Sequence, residues 1–148
     1  MKSIYQTFIL SVLTLFISTG LNAQKASLDK QDLPKSAQSF LNKNFSNERL
    51  VFAERDYDDG KLDYEVKLSN GVKIEFDEKG NWKEVDARDD QALPEKFIPN
   101  NIVRHVKQNF APHKISKIEK SRTKYEVELT NGLDLEFNLS GKFLRIDD

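Results

Sequence analysis

Chemistry needs particular residue types at particular spacings, and this chain offers few such constellations. The stretch DYDDGKLD, residues 56–63, gathers carboxylates around Gly60 and resembles the start of a calcium loop. Its spacing departs from the D-x-D-x-D-G pattern, because Gly60 stands where the third aspartate belongs, and no glutamate sits at the twelfth position. An Asp/Gly hairpin turn is the better reading. The two histidines, His105 and His113, lie eight residues apart. A helical zinc pair wants a spacing of four and a further carboxylate or thiolate ligand, so both read as surface or boundary residues. There is no cysteine, no nucleophile elbow and no glycine-rich phosphate loop. The sequence therefore predicts a protein that is not an enzyme and needs no cofactor and no metal.

What remains is a set of charged side chains on one side of regular strands. In residues 61–77 the outward positions are Asp63, Glu65, Lys67, Lys73, Glu75 and Asp77; in residues 124–138 they are Lys124, Glu126, Glu128, Asp134, Glu136 and Asn138. Antiparallel sheets tolerate a solvated face. Such a face can also recognise a partner, with Trp82, Phe143 or Tyr57 as aromatic anchors. Lys67, Lys73, Glu75, Trp82, Glu126, Glu128, Glu136 and Phe143 are the candidate binding residues. The chemistry is charge pairing and burial of aromatic surface, with a small ligand or an ion on the acidic second half as the alternative.

The elements that would position these residues recur along the chain. Positions 64–86 align with 125–147 without a gap, and ten of the 23 pairs are identical. YEVKLSNGVKIEFDEKG at Tyr64 answers YEVELTNGLDLEFNLSG at Tyr125. Upstream, LPKSAQSFLNKNF from Leu33 matches IPNNIVRHVKQNF from Ile98. Ala37, Phe40, Leu41 and Phe45 share one helical face, as do Ile102, Val103, Val106 and Phe110. Tyr64, Val66 and Leu68 alternate with charges, as do Val72, Ile74 and Phe76, which marks two half-buried strands. Pairing Leu68 with Val72 keeps both apolar rows on one face, so the turn is a three-residue loop, Ser69–Asn70–Gly71, with Gly71 in the left-handed region. Gly132 takes the same part in the second hairpin. The strand NWKEVD breaks the alternation, since Trp82 and Val85 have opposite parity; either a bulge intervenes or one of them lies on the far face.

The expected architecture is α+β, a tandem duplication of a helix plus four-stranded antiparallel unit, with the helices packed on one face of the sheet. The first unit with its linker would span 24–92 and the second 93–148, together one compact body. Residues 1–23 read as a signal peptide: Lys2, an apolar run from Phe8 to Ile17, and a cleavage point after Ala23. The run is shorter than the roughly 20 residues that span a bilayer, so no membrane anchor is expected after cleavage. The mature chain would carry 22 basic and 24 acidic residues. That balance argues against nucleic acid as a partner. The address is periplasmic or secreted.

The signal ending in NAQ, the LP and IP helices and the paired YEV…NG…EF…G hairpins resemble the PepSY-like, β-lactamase-inhibitor-like family of secreted bacterial proteins. The resemblance implies α/β units whose strands form a broad sheet, helices on one face and an open face opposite. It implies a binding module for an unidentified protein or peptide in the periplasm or outside the cell, inhibitor-like in its mode. No residue of an inhibitory motif is carried over.

Overall fold

The computed structural model describes residues 27–58, 60–88 and 90–147. Residues 1–23, expected to be a signal peptide, and Asp59 of the DYDDGKLD turn lie outside them. Two short helices, α1 (Lys35–Asn44) and α2 (Asn100–Asn109), each precede four strands. These are β1 (Leu50–Asp58), β2 (Lys61–Leu68), β3 (Lys73–Asp77), β4 (Trp82–Asp86), β5 (Ile115–Lys120), β6 (Lys124–Leu129), β7 (Asp134–Asn138) and β8 (Phe143–Asp147).

The expectation of a tandem helix plus four-stranded unit needs correcting. All eight strands form one antiparallel sheet in chain order, β1 to β8. β4 pairs directly with β5 through Glu84↔Glu119, Val85↔Ile118 and Asp86↔Lys117. The backbone N–H and C=O groups on the outer edge of β4 would otherwise be unpaired, and β5 satisfies them. The molecule is mostly this sheet, with ten residues in each helix; α+β holds only as the broad class.

One apolar cluster lies between the sheet and the helices. Ala37 and Leu41 of α1 and Ile102 and Val106 of α2 join Val66, Ile74, Phe76, Val85, Ile118, Val127, Leu135 and Phe137 of the strands. Each of these is almost fully buried. Alternation puts this row on one face of β2 to β7 and the charges on the other.

The hairpin loops follow the apolar pattern. Leu68 N–H donates to the Val72 carbonyl at 2.9 Å, and Gly71 adopts φ +90°. The Trp82 parity conflict is resolved by a bulge: Ile74 faces Val85 and Phe76 faces Trp82, with Lys83 left over. Trp82 and Val85 thus share the helix-bearing face. β8 repeats the device, with Leu135 opposite Ile146 and Phe137 opposite Phe143.

Two turns dock on helix N-termini. At Gly80 an added Cβ would stand 2.8 Å from the backbone nitrogen of Ala37 and closer still to Ser36. Ser36 Oγ donates to the Lys79 carbonyl there. At Gly141 an added Cβ would meet Asn101 Cβ at 2.9 Å, and Asn101 Nδ2 donates to the Ser140 carbonyl at 3.0 Å.

Candidate functional site: a carboxylate row across the open face

Directly opposed residues of neighbouring strands share a face. Reading the registers across the sheet gives Glu54↔Glu65, Glu65↔Glu75, Glu75↔Glu84, Glu84↔Glu119, Glu119↔Glu126, Glu126↔Glu136 and Glu136↔Arg145. Seven glutamates, one per strand from β1 to β7, form a single row that ends on an arginine. At about 4.8 Å per strand the row is about 29 Å long. Like charges directly opposite one another are destabilising by a few tenths of a kcal/mol to about 1 kcal/mol per pair. Neighbouring side chains shield the row, leaving every member half-buried or buried.

Cations relieve the row unevenly. At its β7 end, Glu136 is 5% exposed and is gripped by Arg145 at 2.8 Å and by Lys124. Hydrogen bonds from Arg145 and then Lys124 hold its carboxyl down at about 2. Lys124 is itself pushed up by the hydrogen bonds it donates to Glu126 and Glu136. In the middle, Lys117 reaches Glu84 at 3.1 Å. Glu75 has no cation in contact among the described residues, and burial, then the charge of Glu84, raises its carboxyl above the ordinary range.

The structure brings Lys67, Lys73, Glu75, Glu126, Glu128 and Glu136 onto this open face. Lys67 lies opposite Lys73, and Glu128 opposite Asp134, in the row alongside. It does not bring Trp82 or Phe143 there. The Trp82 ring packs on the helix side against Phe97 at 5.6 Å and against Phe40 and Tyr125 at 6.4 Å. Phe143 stacks on His105 with ring centroids 4.6 Å apart. Tyr57 is 69% exposed on β1, opposite Leu62. Glu54, Glu84 and Glu119 of the row escaped the sequence reading. Their signal is a glutamate at an outward position of each strand, but β1 and β5 carry bulges of their own that hide the parity.

Among the described residues no group of three or more His, Cys, Asp or Glu side chains converges as a metal site. The row spreads its oxygens along a line, whereas calcium needs six to eight oxygens at about 2.3–2.6 Å. Among the described residues no helix is long and apolar enough to cross a membrane.

The family model described as "Putative beta-lactamase-inhibitor-like, PepSY-like" matches residues 62–145, more than half of the chain. No curated protein sequence matches. Among solved structures, one described as a "putative calcium-regulated periplasmic protein" from Bacteroides thetaiotaomicron is 36% identical, with a TM-score of 0.78 over 82% of this chain and 95% of that one. A second, a "putative periplasmic protein of unknown function" from Bacteroides vulgatus, is also 36% identical, with a TM-score of 0.77 over 81% of this chain and 95% of its own.

Proposed function

The chain belongs to the PepSY-like, beta-lactamase-inhibitor-like family and acts in the periplasm or outside the cell, and from that premise we propose that it is a binding module without catalytic chemistry. It recognises a protein or peptide of basic character through the open sheet face. The observation that carries this reading is the row of seven glutamates. A carboxylate row on an open face is held at a cost to the sheet, and a partner presenting lysine or arginine removes that cost on docking. Charge complementarity of this kind governs encounter rate and choice of partner. The family's inhibitor-like description agrees with a module that works by occupying a partner's surface.

The test is capture from periplasmic extract on immobilised mature protein, beside a Glu84→Gln, Glu119→Gln, Glu126→Gln variant. A partner held by wild type, released by salt and lost from the variant supports the reading. Equal capture by both proteins overturns it.

A second reading is ion binding on the same acidic face, favoured by the calcium-regulated description of the Bacteroides thetaiotaomicron structure. Calorimetric titration with calcium chloride, against magnesium chloride at equal ionic strength, separates a specific site from diffuse charge screening.

A further inference from the structure

We propose that a groove at the α1 end of the sheet is a second binding site, for an organic anion that joins a flat apolar body to a carboxylate or phosphate head. The groove holds about 830 Å3, within the range of roughly 300–1,000 Å3 usual for small-ligand sites. It meets the open face at Asp63, Asp77 and Glu119, and it does not rest on the reading given for that face.

The groove originates in the register of β4. Pairing between β4 and β5 ends at Glu84↔Glu119, and the β4 bulge falls immediately beyond, at Lys83. Bulges bend and twist a strand and end its pairing. Trp82 and Lys83 therefore line one bank of the groove, while Lys120, Ser121 and Arg122 line the other.

The wall is aromatic. Phe40 and Trp82 line the groove and are held from behind by Phe97, which meets Phe40 at 5.2 Å and Trp82 at 5.6 Å. Trp82 is the only tryptophan of the chain. It remains half-buried, as do Phe40 and Phe97 beside it. A ring so braced loses little freedom when a flat ligand lies against it.

The rim is cationic. Lys61, Lys120 and Arg122 line it and are exposed. Lys120 lies over the Tyr125 ring at 5.8 Å. No carboxylate is paired with any of the three among the described residues. Two of the three carboxylates of the lining are committed elsewhere. Asp63 is bound by Lys83 at 2.5 Å, and Asp77 accepts from the backbone N–H groups of Lys79 at 2.9 Å and Asn81 at 2.8 Å. Glu119 belongs to the carboxylate row. The surplus charge is positive, next to an apolar wall, and that combination selects an anion with an apolar body.

The experiment reads Trp82 emission during titration of the full mature protein with 3-phenylpropionate, phenyl phosphate, 3-phenylpropionamide and inorganic phosphate. A saturable change with either aromatic anion supports the site and identifies the head group. The neutral amide and bare phosphate should each bind at least fivefold more weakly. A Lys120→Gln, Arg122→Gln variant should raise the Kd of the aromatic anion at least fivefold with an unchanged melting temperature, whereas Lys43→Gln on the exposed side of α1 should not. Equal binding of acid and amide, equal binding of bare phosphate, or no emission change up to millimolar probe overturns the proposal.

Discussion

The α1 and α2 ends of the molecule use one frame for different chemistry. At both, a glycine turn is pressed against a helix N-terminus and a bulge swings an aromatic residue onto the helix side. At the α1 end, Phe40 faces Trp82 beside a groove of about 830 Å3. At the α2 end His105 takes the helix position, and its ring lies within 14° of parallel on Phe143. The groove there is about 520 Å3 and is lined by Asn101, Arg104 and Gln108 among others. One end lines its groove with two aromatic carbon rings, Phe40 and Trp82; the other lines it with an imidazole stacked on Phe143. The open face is just as unequal: among the described residues Glu75 has no cation in contact, whereas Glu136 is held by two. The backbone frame accommodates these exchanges because it rests on turns and bulges, and the exchanged side chains sit at its margins.

The sharpest way to break this comparison is at the docked turns. Gly80→Ala adds a Cβ against helix backbone at positive φ, so it should cost about 4 kcal/mol. Gly141→Ala meets a side chain instead and should cost about 3 kcal/mol. Gly132→Ala, with open space around it, should cost about 1 kcal/mol through φ alone. Urea midpoints measure all three, and equal losses would show that the turns do not bear on the helices.

Truncating the two aromatics comes next. Trp82→Ala should cost about 3 kcal/mol, at the low end for a large core ring, because one side already faces the groove. Phe143→Ala should cost about 2 kcal/mol, since His105 can settle into part of the vacated space. A smaller loss for Trp82 than for Phe143 in chemical unfolding would reverse the ranking of the two ends.

The smallest effects separate the ends of the carboxylate row, and they have opposite signs. Glu75 has a raised pKa, so the folded state takes up its proton more readily than the unfolded chain. Its contribution improves as pH falls into the window just above the ordinary glutamate range. Glu75→Gln should therefore raise the urea midpoint at pH 7 by the equivalent of a few tenths of a kcal/mol and flatten the gain seen toward pH 5. Glu136 is depressed from 4.5 to about 2. Its stabilisation is complete above the unfolded value and is lost only as pH falls toward 2. Glu136→Gln should lower the midpoint at pH 7, with the difference from wild type vanishing in strong acid. Shifts of the same sign for both variants would mean that the row acts uniformly.

Local pattern made some of this legible. The Leu68–Val72 pairing follows from keeping charges off the core face, and the faces of α1 and α2 follow from 3.6-residue spacing. Non-local pairing was hidden. Nothing in NWKEVD or in ISKIEK states that Glu84 will lie opposite Glu119, because that register is set when two strands far apart in the chain meet. The side of Trp82 depended on one extra residue, Lys83, in a bulge. The groove was hidden for the same reason: Lys61, Lys120 and Arg122 belong to separate strand ends and turns, and converge only once the sheet is formed. Phe97, in a 3-10 turn at Glu95–Phe97, stands just before the helix segment aligned from Ile98, yet it braces both Phe40 and Trp82.

The glutamate row also bears on what copies of this protein do to one another. A broad, solvent-facing sheet is a surface on which a second sheet can stack, since stacked sheets pack about 10 Å apart face to face. Two open faces brought together would press one line of seven carboxylates against another, with Lys117, Lys124 and Arg145 relieving only part of each line. Self-repulsion of this kind keeps molecules dispersed. The row is thus a built-in spacer, and its strength is set by the medium. It is strong in dilute neutral buffer, thinner as salt shortens the screening length, and weaker again where acid begins to neutralise the crowded members around Glu75.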